Sequence, residues 1–399
     1  LAPGQSKDNV WADLFTKIEQ GAKPLFYRHN QELAVGDTQT LTDVCMNVQR
    51  CIPAKAVMPH LECILIKTNG VSQIELSGFD LDLGITTRMD VRIERPGAVC
   101  VNAKTFCDIL RHLPEESVVI DCDEKKVCSI KSGQVEYTLI SLNPAEYPEI
   151  PKITDEIPFG LRAAVLRDMV RQTIFAVSMD DSKTVHRGIK FEIVPGEVKM
   201  VALDGFRLAI RKEFSDYNDK PLSFVVPSKT LSETIKLITD EDSRINISIG
   251  KRHIIFNIEN YCLVSRLLEG EFLNYNTAIP TGKTAVVRVN TKELIDCIER
   301  ASIIITERTR SPIRIIFDED VARISAVTSL GSSSDRVPVH CDGKRTEIGF
   351  NNRFLMDALR SCDTDEVLIN LNGPVAPAII LPPDSDAFLF LILPVKLPN

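Results

Sequence analysis

The chain has 399 residues, a hydrophobic content of 44% and a formal net charge of −8 at pH 7. This length allows two or three domains of ordinary size, and the composition is typical of a soluble globular protein. No apolar run approaches the roughly 18 residues that a membrane helix needs. The N-terminus lacks the pattern of a signal peptide, so the sequence predicts a cytoplasmic protein without membrane attachment.

The negative net charge argues against nucleic acid covering the whole surface, although it leaves room for a local basic face. The 11 cysteines are scattered without the paired spacing of a zinc site. Several of them, including Cys107, Cys297 and Cys362, lie on apolar helix faces. We interpret them as reduced core residues, with zinc ligation or a reactive thiol as the alternatives. We expect no metal and no cofactor.

In chain order, residues 1–31 come first and hold the only tryptophan. Trp11, Leu14, Phe15 and Ile18 fall on one face of a predicted amphipathic helix. Nothing later in the chain repeats this segment, so we interpret it as an N-terminal extension.

A helical pattern within residues 101–113 then returns twice. Its apolar positions have the i, i+3, i+4, i+7 spacing of one helix face. Phe106 and its two counterparts, Leu231 and Leu355, are 125 and 124 residues apart. The three matching sets are Phe106, Ile109, Leu110 and Leu113; Leu231, Thr234, Ile235 and Ile238; and Leu355, Ala358, Leu359 and Cys362. One module is therefore present three times.

Each copy of this helix begins with a residue suited to a helix N-cap, namely Asn102, Ser228 or Asn351. Acidic residues and then a strand follow each copy. Every module is predicted to contain two amphipathic helices and about eight short strands, an α+β class with mostly antiparallel sheets backed by helices. The predicted modules span residues 32–157, 158–281 and 282–399.

No catalytic constellation is present in the sequence. Gly282-Lys283-Thr284 lacks the earlier glycine of a phosphate-binding loop, because position 277 is threonine. The six histidines form no metal-binding pair. Asp80 and Asp82 on an alternating strand are better explained as a solvated face than as metal ligands. We therefore predict that this chain is not an enzyme.

Basic residues recur on the two helices of each module and in the turns after them. Their alternative interpretation is an ordinary solvated face, because acidic residues are mixed among them. If they face a nucleic acid, contacts to phosphates would give binding without sequence specificity. The predicted DNA-binding residues are Lys55, Arg167, Arg171, Lys183, Arg300 and Arg353.

Three segments carry a resemblance to a known family. ALDGFRLA at 202–209 is similar to the family stretch ATDGHRLA, MPHLECI at 58–64 to its LPIL segment, and LILPVKL at 391–397 to its C-terminal VMPMRL. Together with the threefold repeat, they resemble the bacterial sliding clamp, the beta subunit of DNA polymerase III. The resemblance covers residues 32–399. Phe206 and Leu203 depart from the usual His and Thr of the family.

The resemblance implies that three clamp modules per chain close into a ring as a head-to-tail homodimer, with inner helices and outer sheets. The ring would encircle double-stranded DNA without sequence specificity and act as a non-catalytic processivity factor. Implied partners are the replicative polymerase alpha subunit, the clamp-loader complex, and other polymerases and repair proteins that carry a clamp-binding peptide. The alternative is a ring-shaped protein-interaction scaffold without DNA encirclement. A nucleotidyltransferase would need metal-binding carboxylates that the chain lacks.

The resemblance also implies two interaction sites. The dimer seam would join module 1 of one chain to module 3 of the other, through Tyr137, Leu139, Ile303 and Ile304. A partner-peptide pocket would lie where modules 2 and 3 meet. Its predicted residues are His186, Leu203, Gly205, Phe206, Arg207, Leu208, Leu273, Thr277, Ala278, Pro377, Leu391, Ile392, Leu393, Pro394, Val395 and Lys396.

The extension has three possible roles at this point. Trp11 to Phe15 resembles a clamp-binding peptide with Trp in place of Gln, and a tethered segment of this kind could compete with partners for the pocket. It could instead pack on the outside of module 1, or be a leader without a role.

Overall fold

The computed structural model describes residues 32–397, except 124, 154–155 and 307–310. The helix predicted at Trp11 lies outside the described residues. The described chain forms two compact units. Unit 1 comprises residues 32–159, 236–239 and 245–266, and unit 2 comprises residues 160–235, 240–244 and 267–397.

The same order of elements occurs three times: strand, helix, four strands, helix, three strands. The first repeat contains β1 (Glu32–Asp37), α1 (Thr38–Gln49), β2 (Cys63–Asn69), β3 (Gln73–Phe79), β4 (Leu83–Asp90), the short β5 (Arg92–Ile93), β6 (Ala98–Asn102), α2 (Ala103–Leu110), β7 (Ser117–Cys122), β8 (Val127–Ser132) and β9 (Val135–Ile140). The second contains β10 (Ile157–Arg162), α3 (Ala163–Ile174), β11 (Gly188–Val194), β12 (Glu197–Leu203), β13 (Arg207–Phe214), β14 (Leu222–Pro227), α4 (Ser228–Lys236), β15 (Arg244–Ile249), β16 (His253–Ile258) and β17 (Tyr261–Arg266). The third contains β18 (Ala285–Asn290), α5 (Thr291–Ser302), β19 (Ile313–Phe317), β20 (Val321–Thr328), β21 (Gly331–Pro338), the short β22 (His340–Gly343), β23 (Thr346–Phe350), α6 (Asn352–Arg360), β24 (Glu366–Leu371), β25 (Ala378–Leu381) and β26 (Phe388–Ile392). The short strands β5 and β22 are additions to this common order in the first and third repeats, and the second repeat has no counterpart to them.

The predicted α+β class and the threefold repeat are confirmed. The apolar faces of the repeated helices are buried: Phe106 and Leu231 are 0% exposed and Leu355 is 2% exposed. Two of the predicted caps act as expected, because Asn102 accepts from Thr105 N at 3.1 Å and Asn351 caps α6. Burial of the periodic faces against the sheets supplies most of the stability of such helices.

The acidic loops after the repeated helices bind the start of the other helix of the same repeat. The first N–H of a helix has no partner within that helix and needs an acceptor from elsewhere. A loop carbonyl supplies it in all three repeats. Thr38 N donates to Glu116 O, Ala163 N to Ser243 O and Thr291 N to Asp365 O, each at 2.8 Å. Acidic residues near a helix N-terminus are also favoured by the helix dipole.

Unit 1 contains α1 and α2 and two sheets. The first has five strands in the order β5-β1-β7-β8-β9. The second has eight in the order β10-β15-β16-β17-β4-β3-β2-β6, and the outer ends of β10 and β15 belong to unit 2. Strand β17 of the second repeat pairs antiparallel with β4 of the first, with Leu263 opposite Ile85.

Unit 2 contains α3, α5, α6 and nearly all of α4. Its nine-stranded sheet has the order β14-β11-β12-β13-β26-β25-β24-β18-β22, and its four-stranded sheet has the order β21-β20-β19-β23. Here β26 of the third repeat pairs antiparallel with β13 of the second, with Leu208 opposite Leu391.

The compact units therefore do not coincide with the repeats of the sequence, because each large sheet joins strands of two successive repeats. The predicted module boundaries remain a prediction. The cysteines are mostly core residues, since all except Cys262 and Cys362 are buried. None of the helices that the structure describes is long and apolar enough to span a membrane.

Candidate partner-binding site

A three-residue turn, Asp204–Phe206, joins β12 to β13 and carries the most prominent exposed aromatic side chain of the predicted pocket. The Asp204 carboxylate accepts from Phe206 N at 2.8 Å and from Arg207 N at 3.0 Å. Gly205 has φ +95°, a left-handed conformation that side chains disfavour. The turn thereby presents Phe206, which is 60% exposed.

Buried leucines lie beneath this turn. Leu203, Leu208 and Leu391 are 3–5% exposed and belong to one hydrophobic cluster, against which Leu393 packs. Leu393 N also donates to Phe206 O at 2.9 Å. The predicted pocket residues Leu203, 205–208 and 391–393 are thus neighbours around the paired strands β13 and β26.

Arg207 connects the turn to two other elements of unit 2, helix α6 and the end of α3. Its Nε donates to Asp204 Oδ2 at 3.0 Å, and its Nη1 donates to Asp357 Oδ2 on α6 at 2.6 Å. The guanidinium carbon lies 4.4 Å from the ring centre of Phe354 and 5.6 Å from that of Phe175. The side chain is only 10% exposed, so its positive charge is stabilised by two carboxylates rather than by solvation.

The connection after β17 supplies a further part of this region. Leu273 is 55% exposed, whereas Tyr275 is buried in the same cluster as the leucines. The Tyr275 hydroxyl donates to Glu192 Oε2 at 2.6 Å. Burial opposes ionisation of Glu192, but hydrogen bonds from Lys190 and Tyr275 and the charges of Lys190 and Lys199 hold its pKa below the usual range. The predicted residues Thr277 and Ala278 follow on the surface.

His186 borders the same connection. Leu273 N donates to its Nε2 at 3.4 Å, and its ring lies 5.1 Å from that of Phe272. Burial, and then the charge of Lys183, lower the pKa of His186. The neutral imidazole is thereby favoured, which keeps Nε2 available as an acceptor.

We call the surface formed by residues 203–208, 273–278 and 391–393, with His186, the partner surface. Four of the predicted pocket residues lie outside this surface, namely Pro377, Pro394, Val395 and Lys396. Val395 N donates to Gly349 O at 2.8 Å, so Val395 and Lys396 run along β23. Pro377 lines a separate cavity of about 240 Å³ with Pro280, Lys283 and Asn370. Pro394 lies between Leu393 and this last segment.

Residues not predicted from the sequence complete the partner surface. Phe354 on α6 stacks on Phe206 with ring centres 6.1 Å apart. Asp357 and Phe175 contact Arg207, as described above, and Phe272 contacts His186. A signal existed only for Asp204, which lies inside the ALDGFRLA segment. The others are apolar or acidic residues on periodic helices, where sequence alone suggests core or solvent.

The six predicted DNA-binding residues have different surroundings. Lys55, Arg171 and Arg353 are exposed. Arg300 is paired with Asp335 at 2.7 Å, and Arg167 is paired with Glu241 and only 15% exposed. Lys183 lies beside the turn, with Nζ 3.7 Å from the position of a Cβ on Gly205. Arg167 is therefore the least accessible of the six, whereas the other five are exposed.

The predicted seam residues lie at or near two open sheet edges. Strand β9, with Tyr137 38% exposed and Leu139 partly exposed, is the edge of the five-stranded sheet in unit 1. Strand β21 is an edge of the four-stranded sheet in unit 2. In the same unit Ile303 is 78% exposed and Ile304 is partly buried. Open edges of this kind can pair with another chain.

Within the part of the chain that the structure describes, no group of three His, Cys, Asp or Glu side chains could hold a metal ion. The partner surface has exposed aromatic and aliphatic anchors above a buried apolar floor. Surfaces of this composition are typical of sites that bind short apolar peptides. Three copies of a two-helix module joined by shared sheets are the fold of a DNA clamp.

Comparison with known proteins agrees with this class. Models of the N-terminal, central and C-terminal domains of the DNA polymerase III beta subunit match residues 35–151, 160–274 and 276–396. A beta sliding clamp of Halalkalibacterium halodurans is 30% identical over 364 residues, covering 88% of this chain and 96% of the relative. The chain therefore belongs to the beta sliding clamp family, the beta subunits of DNA polymerase III, which act in DNA replication as processivity factors.

Solved structures of clamps are similar over nearly the whole described chain. The DNA polymerase sliding clamp of Bacillus subtilis has a TM-score of 0.89 and 26% identity, covering 92% of this chain and 100% of that one. A sliding clamp of Pseudomonas aeruginosa bound to griselimycin has a TM-score of 0.87 and 25% identity, with the same coverage.

Proposed function

We propose that two copies of this chain close head to tail into a ring that encircles double-stranded DNA without sequence specificity. The ring tethers the replicative polymerase and other partners through the partner surface, and it has no catalytic activity of its own. Family membership and the arrangement of strands support the proposal. It assigns the chain to the cytoplasm, where replication takes place.

The last strand of each repeat carries the argument for a ring. Strand β17 pairs with β4 of the preceding repeat, and β26 pairs with β13 of the preceding repeat. Strand β9 is the corresponding strand of the first repeat, and among the described strands it pairs with β8 alone. Strand β21 of the third repeat corresponds to β4 and β13, and within the described part of the chain it pairs with β20 alone.

A second copy can therefore supply the missing partner at both ends. Pairing of β9 with β21 of the other copy would repeat the contact already made twice within the chain. Two such contacts are equivalent, and a head-to-tail contact that closes gives a finite ring. This supports Tyr137, Leu139, Ile303 and Ile304 as seam residues.

The DNA-binding part of the proposal rests on the exposed basic residues Lys55, Arg171 and Arg353, with Arg167, Lys183 and Arg300 as further candidates. Contacts to phosphates give affinity that falls with salt and carries no sequence information. A closed ring needs little affinity, because its topology retains it on DNA. The chain's negative net charge suits a protein that must slide rather than adhere.

Retention on DNA with blocked ends tests the proposal. The protein is allowed to thread onto a duplex anchored at one end, and a bulky protein is then bound to the free end or omitted. After a step to high salt, we expect the protein to remain only on the blocked duplex. Equal loss from both duplexes, with intact dimers, would favour the protein-interaction scaffold instead.

A variant with Ile303→Glu and Ile304→Glu provides the matched control. We expect folded monomers in sedimentation at micromolar concentration, which leave both duplexes at the same rate. A variant that stays dimeric would overturn the seam assignment, while the comparison of blocked and open duplexes would still decide encirclement.

A further inference from the structure

The turn that carries Phe206 is held by a helix of the following repeat as well as by its own strands. Asp204 lies within the turn and moves with it. Leu393 fixes the backbone of the turn to β26 by one hydrogen bond. On α6, Asp357 contacts Arg207, and Phe354 contacts both Arg207 and Phe206.

Asp357 reaches the turn through a buried guanidinium. Arg207 is 10% exposed and Asp357 is 28% exposed, and the bond between them is 2.6 Å long. A charged hydrogen bond of this length between poorly solvated groups is strong and directional. Because the guanidinium is planar, the carboxylates of Asp204 and Asp357 together fix its orientation.

The orientation of Arg207 in turn determines the position of an aromatic anchor. Its guanidinium lies over the Phe354 ring at 4.4 Å, and the same ring stacks on Phe206 at 6.1 Å with an interplanar angle of 29°. Arg207 and Phe206 therefore both contact the ring of Phe354. A shift of the guanidinium would act on the Phe206 ring through this shared contact.

The Asp357 backbone is itself well supported. Its carbonyl accepts from Ser361 Oγ at 2.7 Å near the end of α6, and the helix is anchored by its buried apolar face. The Asp357 carboxylate therefore has a position that is set by α6 and not by the turn.

We propose that Asp357 is a positioning residue of the partner surface: acting through Arg207, it holds Phe206 in its binding orientation. This inference rests on the proposed role of the surface in partner binding. A turn fixed before binding loses less conformational entropy when a ligand arrives, so Asp357 raises affinity without touching the ligand.

A double-mutant cycle tests the inference, with griselimycin as the probe. Its dissociation constant is measured by calorimetry for the full chain and for Asp357→Asn, Arg207→Gln and the double variant. We expect Asp357→Asn to weaken binding about tenfold and to have little further effect once Arg207 is replaced, as for residues that act as one network. Asp363→Asn, an exposed aspartate just after α6, is the matched control and should bind like the unchanged chain.

Amide hydrogen exchange provides a readout that a general loss of stability would not reproduce. In Asp357→Asn, exchange should accelerate at Phe206, Arg207 and Leu393, while the buried strand β12 keeps its protection. Both measurements are made well below the melting temperature of each variant, and Asp357→Glu should restore part of the affinity.

The outcomes separate the two proposals. No binding of griselimycin by the unchanged chain would overturn the partner surface itself and this inference with it. Normal binding by the unchanged chain and by Asp357→Asn would overturn the positioning role alone. An equal effect of Asp357→Asn with and without Arg207 would show that Asp357 does not act through the guanidinium. If Asp357→Asn fails to fold, the comparison of Arg207→Lys with Arg207→Gln replaces it, and equal affinities for these two overturn the inference.

Discussion

The turn after β3 in unit 1 and the turn after β12 in unit 2 have the same backbone but different surroundings. Asp80 Oδ1 accepts from Asp82 N at 3.0 Å and from Leu83 N at 2.6 Å, as Asp204 does for its own turn. Leu81 has φ +79°, close to the +95° of Gly205. The two turns even bind the next repeat alike, because Arg266 N donates to Asp82 O at 2.8 Å.

Their side chains differ at the last residue of the turn and at the residue after it. Asp82 occupies the position of Phe206, and Leu83, which is 1% exposed, occupies that of Arg207. A Cβ on Gly84 would lie 3.1 Å from Ile150, so the connection of unit 1 packs closely on this site. The repeat therefore provides a common backbone. A few substitutions leave an exposed aromatic side chain at one copy, whereas the other copy is covered by its own chain.

The largest expected effect on ligand binding comes from replacing Phe206 by the aspartate that occupies its position in the turn after β3. Phe206→Asp should weaken griselimycin binding by about 2 kcal/mol or more, because a central aromatic anchor is lost. Calorimetry measures the effect. The converse variant, Asp82→Phe, should leave the stoichiometry at one ligand per chain, since Leu83 and Ile150 fill the space beside it. Binding of a second ligand by Asp82→Phe would show that the turn alone makes the site.

An intermediate effect is expected from the tyrosines of the two connections. Tyr275 donates to Glu192 at 2.6 Å, whereas the hydroxyl of its counterpart Tyr147 is 3.5 Å from Cys63 O. Tyr275→Phe should lower the free energy of unfolding by about 1.5 kcal/mol, because a hydrogen bond to a charged carboxylate is lost. Tyr147→Phe should lower the free energy of unfolding by clearly less, because its hydrogen bond is longer and has a neutral acceptor. Scanning calorimetry compares the two melting temperatures, and a larger loss for Tyr147→Phe would contradict this ranking.

The smallest effect concerns pH. Since the pKa of His186 is lowered in the folded protein, the unfolded chain takes up a proton first as the pH falls below about 6.5. The stability contributed by the neutral imidazole is thus complete above that pH and is lost as the pH falls toward the folded pKa. Leu61 occupies the corresponding position in unit 1.

His186→Leu should consequently reduce the fall in melting temperature between pH 7 and pH 5 by a small amount, roughly 1 °C. His253, whose pKa is also lowered, is present in both proteins and cancels in the comparison. A fall that is unchanged or steeper in His186→Leu would contradict the shift assigned to His186.

Local patterns predicted the helices and the repeat well, because periodic apolar positions and N-caps depend on neighbours in the sequence. Phe106, Leu231 and Leu355 are buried as their spacing indicated. The ALDGFRLA segment likewise contained the whole turn. These features follow from short-range geometry, which one sequence can reveal.

Long-range pairing could not be predicted in the same way. Arg207 and Asp357 are 150 residues apart, and nothing in their own segments marks them as partners. The joining of β17 to β4 was equally hidden, since an apolar strand can pair with many others. The pocket residues Pro377 and Val395 were included by resemblance, and their local contacts depend on turns that the apolar pattern does not specify.

The joining of each repeat to its successor also has a consequence during synthesis. Strand β4 ends at Asp90, but its partner β17 begins only at Tyr261. On the ribosome, the growing chain must therefore carry an unfinished sheet edge while more than a hundred further residues are added. The exposed strand edges of nascent chains can pair with the wrong strand or with another chain. Translation speed and chaperones should consequently influence the yield of correctly paired protein.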